Sequence, residues 1–334
     1  MEIDKFSNYP FLTRTVQYVA DMGTPVDNIL TSRSFDITRY RARSRVLQAI
    51  HGDIQHDDTV NFTVELLSYA VARIMVSCLN DAFLTRRYSL AEAKYAYHMM
   101  KQENNEVLQE IGEDLHIVAS VTESGLFYLH FTDYIRGAVR LRSIQWKLVN
   151  RILNSGYVSI TKEEYARLLQ EAVRSRIIDA LPLNVPDEFC QALEKYLLEI
   201  KASVDISRTE FDEAGFGNVE SEHFPPCIVH LISNAQGGIN LAHSARFALT
   251  SFLLNIGMSV DQVVSLFNVS PDFNEEKTRY QVEHISGSTG TAYKPPSCTT
   301  LITYGNCYGK DKLCETIRHP LNYYKRKKKT GSAK

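Results

Sequence analysis

The chain has 334 residues, 44% of them hydrophobic and 10% aromatic, a composition that fits a packed globular protein and excludes a largely disordered one. Its formal charge of −2 conceals an asymmetry: residues 1–223 carry 24 Lys and Arg against 32 Asp and Glu, whereas 224–334 carry 13 against 7. Only the second part is charged to meet an anion. No run reaches the roughly 18 consecutive apolar residues of a membrane span, and the opening MEIDKFSNYP is too polar for a signal peptide. The expectation is a soluble, cytoplasmic protein with no membrane partner.

The first two hundred residues read mainly as helices. The largely apolar run 63–78 is one, and Ser89-Leu90-Ala91-Glu92 reads as a capping box that opens another, continuing through Tyr95 and Met99 towards Ile111. Segments 116–120, 126–131 and 157–160 are short, rich in Val, Ile, Tyr and Phe, and bounded by turns, which predicts strands. Helical spacing returns in Ile144, Leu148 and Ile152, and again in Tyr165, Leu168, Leu169 and Val173. Residues 117–160 therefore read as a small mixed α/β unit. Pro182 and Pro186 precede an amphipathic helix at 188–200, with Phe189, Leu193, Tyr196, Leu197 and Ile200 on one face.

The apolar pattern lapses at 203–223, which reads as a linker between an N-terminal domain, 1–202, and a C-terminal domain, 224–324. A basic tail, 325–334, reads as a solvated end. The fold class expected is mainly α. Asp57 and Asp58 form a lone acidic pair in a polar turn, and no Asp-x-Asp falls on a candidate strand, so the closely spaced carboxylates of two-metal phosphoryl transfer are missing.

Four of six cysteines lie beyond the linker as C-x70-C-x8-C-x6-C: Cys227, Cys298, Cys307 and Cys314. Cys78 and Cys190 fall within helical patterns and read as reduced, small apolar residues. Pro225-Pro226 and Pro295-Pro296 precede two of the four, as suits loops that deliver ligands. Four thiolates suit tetrahedral zinc or an iron-sulfur cluster, and residue type and count do not separate the two. The absence of paired C-x2-4-C knuckles leans towards a cluster.

Taken in order, FPPCIVHLI, GGINLAHSARFALTSFLLNIGMS, SPDFNEEKTRYQVEHISG, YKPPSC, YGNC and CETIRHPLNYY resemble the large-subunit domain of archaeal and eukaryotic DNA primase across nearly all of 224–324. Trp146-Lys147-Leu148-Val149-Asn150 and Gly156-Tyr157-Val158 extend the likeness, more loosely, into the first half. The resemblance implies a [4Fe-4S] cluster on Cys227, Cys298, Cys307 and Cys314, around which the helical C-terminal domain is organised. It also implies a non-catalytic regulatory subunit of a heterodimer, whose separate small subunit performs nucleotidyl transfer. Single-stranded DNA template and RNA primer are the implied ligands.

Leu241, Ala245, Leu249, Phe252 and Ile256 recur at helical spacing up to Gly257, with His243 and Arg246 on another side of that helix. Further candidates for the basic face are Lys277, Arg279, Tyr280, His284, Tyr293 and Lys294. Arg can clamp phosphate, and Tyr and His rings can stack on unpaired bases. In the family this region contacts template and primer 5′ end, and His243, Arg246 and Tyr280 occupy matching positions; eukaryotic members place basic residues where this chain has Asn240 and Ala242. Tyr157, Val158 and Ile160 are the expected anchors for the small subunit, because short apolar strands leave edges to cover.

Overall fold

The computed structural model describes residues 8–57, 59–141, 143–216, 219–270, 273–288 and 290–331, with the backbone alone at 208–216, 330 and 331. The chain divides into two compact units, Met1–Asp205 and Ile206–Lys334.

The first unit contains α1 Thr13–Asp21, α2 Val26–Thr31, α3 Asp36–His51, α4 Phe62–Leu79, α5 Ala82–Met100 and α6 Asn105–Asp114. After them come β1 Ser120–Val121, β2 Phe127–His130, α7 Phe131–Ala138, β3 Leu153–Asn154, β4 Tyr157–Ile160, α8 Lys162–Asp179 and α9 Asp187–Ala192. Then α10, Glu194–Phe216, runs past the boundary between the units. The stretch expected to be a linker is thus helical through Phe216, since a weak apolar pattern removes a packing face without removing helix propensity.

Helix α5 is capped by Asp81, whose carboxylate accepts from Leu84 N–H. The expected box at Ser89 lies inside the helix instead. Ser89 Oγ donates to the Arg86 carbonyl, and Glu92 pairs with Arg45 of α3. The helix projected to run on to Ile111 breaks after Met100, and Asn104 caps α6. Helix α4 is long and apolar enough to cross a membrane by length and composition, yet 56% of it is buried within the fold. Its buried Glu65 is ion-paired with Arg41 and Arg45, a core environment.

The four strands form one antiparallel sheet in the order β1-β2-β4-β3. The first strand falls at 120–121 rather than across 116–120, because His116 takes a left-handed conformation (φ 59°) that interrupts an extended run. Between Ala138 and β3 the expected helical spacing resolves into two 3-10 turns, Ile144–Trp146 and Leu148–Asn150. Strands β3 and β4 meet at a tight turn through Ser155 (φ 50°) and Gly156 (φ 85°), and positive φ at both positions is what a two-residue type I′ hairpin turn requires.

Cys78 and Cys190, expected as separate thiols, form a disulfide (Cα–Cα 5.6 Å). The packing of α9 on α4 brings them together across 112 residues, a proximity that sequence spacing conceals.

The second unit holds α11 Pro226–Gln236, α12 His243–Asn255, α13 Val260–Leu266, α14 Glu275–Ser286, α15 Cys298–Thr303 and α16 Pro320–Gly331. Its core gathers Phe224, Ile228, Leu249, Phe252, Val263 and Val282, among others. The tail expected to be a solvated end is helical, as part of α16, through Gly331, the rest lying outside the described residues, and its Lys325, Arg326 and Lys329 are exposed. Tyr323 and Tyr324 are buried and anchor that helix, and Lys328 pairs with Glu220.

Candidate metal and nucleic-acid sites

Four segments of the second unit bring the cysteines to one place. Pro226 is the first residue of α11, where its missing N–H costs nothing, and Cys227 follows it, buried. Cys298 opens α15, capped by Ser297, and its N–H donates to the Arg318 carbonyl at 3.0 Å. His319 Nε2–H donates to the Pro295 carbonyl at 2.9 Å while Nδ1 accepts from Leu321 N–H, which ties the start of α16 to the loop that delivers Cys298. Cys314 N–H donates to the Asp311 carboxylate at 3.0 Å, and Tyr323 O–H holds the other carboxylate oxygen at 2.6 Å.

All four cysteines line one cavity of about 250 Å³. Burial, reinforced by the neighbouring Cys307 and Cys298, pushes the Cys227 thiol up to about 12, and burial also raises Cys298 and Cys314. Among the described residues no three His, Cys, Asp or Glu side chains are drawn together as a ready site for a single metal ion. What the fold assembles is a cavity walled by four soft donors. That donor set is one a thiophilic metal group suits, with proton release on binding.

The second site is a cleft of about 330 Å³ between α12 and α14. Helix α12 buries Ala245, Leu249 and Phe252, which leaves His243 and Arg246 on the face that lines the cleft. Arg246 is aimed by two acceptors: Nη2 donates to the Asn240 carboxamide at 2.6 Å and Nε to the Leu241 carbonyl at 3.2 Å. Its guanidinium lies 6.0 Å from the Phe267 ring centroid, within cation–π range. From α14 come Tyr280, 67% exposed, and His284. Tyr293 closes the rim, its ring edge-on to Phe247 and tilted against His284, and its backbone fixed by Ile285 and Asn255.

The structure thus brings His243, Arg246, Tyr280, His284 and Tyr293 together. Lys277, Arg279 and Lys294 do not line the cleft. Arg279 is turned to Asp261 and Glu275, so its charge is locally compensated. Sequence reading missed the part played by Asn240. Marked there only as a non-basic departure, it is nearly buried and orients the arginine six residues on. Phe247 and Phe267 gave no sequence signal that set them apart from core residues.

Two of the three expected partner anchors are corrected. Burial alternates along β4, so Val158 and Ile160 point into the core at 0% and 2% exposure, and of the three only Tyr157 is exposed. Exposed apolar side chains nearby include Ile144, Val149 and Ile152 on the connection before the hairpin and Leu153 of β3, with Val149 and Ile152 both 86% exposed. Trp146 is buried beneath this connection, its carbonyl accepting from Tyr134 O–H. Arg151 spans Tyr134 and Glu164, so the exposed residues sit on a held loop. Of the acidic pair in the polar turn, Asp57 accepts from Thr59, and Asp58 lies outside the described residues.

Comparison with known proteins gives these sites a context. Residues 7–188 match the family described as the N-terminal domain of the eukaryotic and archaeal DNA primase large subunit, and residues 217–330 match its C-terminal domain. A protein named DNA primase large subunit PriL from Methanococcoides burtonii is 52% identical over 96% of this chain and 91% of its own length. Its namesake from Methanosarcina mazei is 49% identical over 98% of this chain and 89% of its own, and that of Halobacterium salinarum 40% identical over 98% and 94%. With both halves matched in order and near-complete relatives this similar, the chain belongs to the eukaryotic and archaeal DNA primase large-subunit family.

Proposed function

We propose that this chain is the non-catalytic regulatory subunit of a heterodimeric DNA primase, holding a catalytic small subunit with its first unit and engaging template and primer with its second. The observation that carries the reading is the cleft in which Arg246, His243, His284, Tyr280 and Tyr293 converge, within the third of the chain that carries the basic excess. A guanidinium held by Asn240 is pre-aimed for a phosphate, and exposed Tyr and His rings offer faces to unpaired bases. Initiation must gather a template and two nucleotides with no duplex to hold them, so contacts from a second subunit lower an entropic cost that extension no longer faces.

Cys227, Cys298, Cys307 and Cys314 would hold one [4Fe-4S] cluster, which supplies four metal–sulfur bonds and would tie α11, α15 and the segments around Cys307 and Cys314 into one body. The small subunit would cover Ile144, Val149, Ile152, Leu153 and Tyr157, an apolar set of the kind that marks a protein interface. Nucleotidyl transfer is assigned to that partner.

The test is to measure dinucleotide synthesis and extension of a preformed primer by the reconstituted heterodimer, with Arg246 intact or as Arg246→Ala. Dinucleotide synthesis should fall roughly tenfold and extension less than twofold, and the salt dependence of DNA binding should weaken by about one phosphate contact. Equal losses in both steps with an unchanged salt slope would reduce the cleft to a solvated helix face. Primer synthesis by the rigorously purified large subunit alone would overturn its non-catalytic assignment.

A further inference from the structure

A second aromatic surface, outside the cleft, lies on the segment that leads from α15 to Cys307 and beyond. Tyr304 is 59% exposed, Ile302 50% and Tyr308 45%. The Tyr308 ring is stacked on His230 of α11, with centroids 3.9 Å apart and planes 25° from parallel. His230 is in turn hydrogen-bonded to Asn234, at 2.9 Å. One face of Tyr308 is therefore backed by a fixed ring, and its exposed area is what remains for a ligand.

Gly305 (φ 67°) turns the chain after Tyr304, with nothing within 4 Å of the position a Cβ would take. Lys310, Lys312 and Arg318 are exposed on the same stretch. Two carboxylates accompany them: exposed Glu315, and Asp311, held by Tyr323 and the Cys314 N–H. The stretch keeps a net positive charge.

One contact joins this surface to the cleft. Asn306 is buried between the two tyrosines in sequence, and its carboxamide donates to Ser244 Oγ at 3.2 Å. Ser244 follows His243 on the first turn of α12, and His243 lines the cleft. The tyrosine loop is thus pinned to the end of α12 where the cleft begins.

We propose that Tyr304 and Tyr308 form a stacking platform for unpaired DNA template bases, continuing the nucleic-acid path from the His243 end of the cleft across the loop. The proposal rests on the reading of the cleft as a nucleic-acid site. Aromatic faces flanked by cations are the combination that holds single strands with little sequence preference, because every base has a π-face and every linkage a charge. Backing by His230 strengthens the case, since a ring already fixed loses less freedom when a base settles on it.

The experiment measures binding of the full chain to a duplex whose 5′-phosphorylated strand stands for a primer, the other strand ending blunt or in a 3′ overhang of six thymidines or six abasic sites. Thymidines should tighten binding several-fold more than abasic sites, which keep the phosphates and lose the rings. Tyr304→Ala and Tyr308→Ala should each remove about fivefold of that gain and leave blunt-duplex affinity unchanged. Tyr308→Trp should retain it. Tyr304→Ala stands alone if alteration beside Cys307 disturbs the fold. A thymidine gain no larger than the abasic gain, or one that survives Tyr304→Ala, overturns the platform while Arg246-dependent blunt binding upholds the cleft. Failure of the chain to bind any of these duplexes overturns both.

Discussion

Two polar constellations, one in each unit, are arranged in opposite ways. In the first, Arg45 is fully enclosed, yet it donates to Glu92 through Nε and Nη2 and to Glu65 through Nη1, while Arg41 takes the remaining reach of Glu65. Its two cysteines are joined to each other. In the second unit four thiols face a cavity, and an aimed arginine faces a cleft with aromatic rings around it. The Arg41–Arg45–Glu65–Glu92 network closes on itself and serves the scaffold, although elsewhere in that unit buried polar atoms such as Arg87 Nε, Arg174 Nε and Glu171 Oε2 have no hydrogen-bond partner among the described residues. Polar groups directed into open space are arranged for something that arrives from outside.

The largest effect expected of this contrast is confined to the second unit. Cys307→Ser should strip iron and the absorbance near 400 nm from the purified protein and lower the melting transition of the second unit, leaving that of the first in place. Full iron content with an unshifted melt would remove Cys307 from the ligand set. Because metal binding contributes on the order of 10 kcal/mol to small metal-stapled folds, the loss should read as local unfolding rather than a modest shift.

Next in size is Arg45→Met, which leaves Glu92 buried without its partner and should destabilise the first unit by about 3–5 kcal/mol, measured by denaturant titration. The same network sets a pH dependence. Burial alone would raise the Glu65 carboxyl, but the Arg41 hydrogen bond and the Arg45 charge outweigh it and hold the group below its usual 4.5. A depressed folded-state value stabilises the protein above the unfolded value, and that contribution is lost as pH falls below about 4.5 towards the folded one. In the Glu65→Gln variant, stability should therefore depend less on pH across that window; an identical acid limb in both proteins would contradict the assignment.

The same network explains why one motif misled. Ser-x-x-Glu marks a helix start when the Glu reaches back to the cap, but here Glu92 serves Arg45, 47 residues earlier in the chain. Local pattern does not carry a long-range partner. Helices α8 and α12 were legible because each buries a stripe that recurs at helical spacing, and α4 because its run is largely apolar; the cysteines stood out by their number beyond residue 223 and by the Pro-Pro pairs before two of them. The disulfide and the aiming of Arg246 by Asn240 were not, since each depends on contacts that spacing cannot reveal. For β4 the strand was legible and its inward face was not, since apolar Val158 and Ile160 suit a core and an interface alike.

That ambiguity yields the third prediction. Val149→Asp combined with Ile152→Asp should leave the melt of the isolated chain almost unchanged and weaken heterodimer formation at least tenfold, because both side chains are 86% exposed. Ile160→Ser, at 2% exposure, should instead destabilise the fold by about 2–4 kcal/mol through lost burial and an unpaired hydroxyl. If the double aspartate variant still pairs fully with the small subunit by gel filtration, the apolar loop is not the interface.

The smallest effect concerns Arg279, and it tests whether the basic character of the second unit acts through aimed groups or through charge at large. Arg279 belongs to the same helix as Tyr280 and His284, and by residue type it looks as able to hold a phosphate as Arg246. Its guanidinium already meets Asp261 at 2.6 Å and Glu275 at 3.7 Å, so a phosphate would have to displace two carboxylates to reach it. Arg279 and both its partners are partly or largely exposed, so the one unit of charge lost with it is screened by salt over about 8–10 Å. Arg279→Gln should therefore bind the 5′-phosphorylated duplex within twofold of wild type and with the same salt slope, whereas Arg246→Ala loses affinity and slope together. If both substitutions lower the slope equally, the second unit attracts DNA through its summed charge, and the particular orientation that Asn240 imposes on Arg246 has no share in recognition.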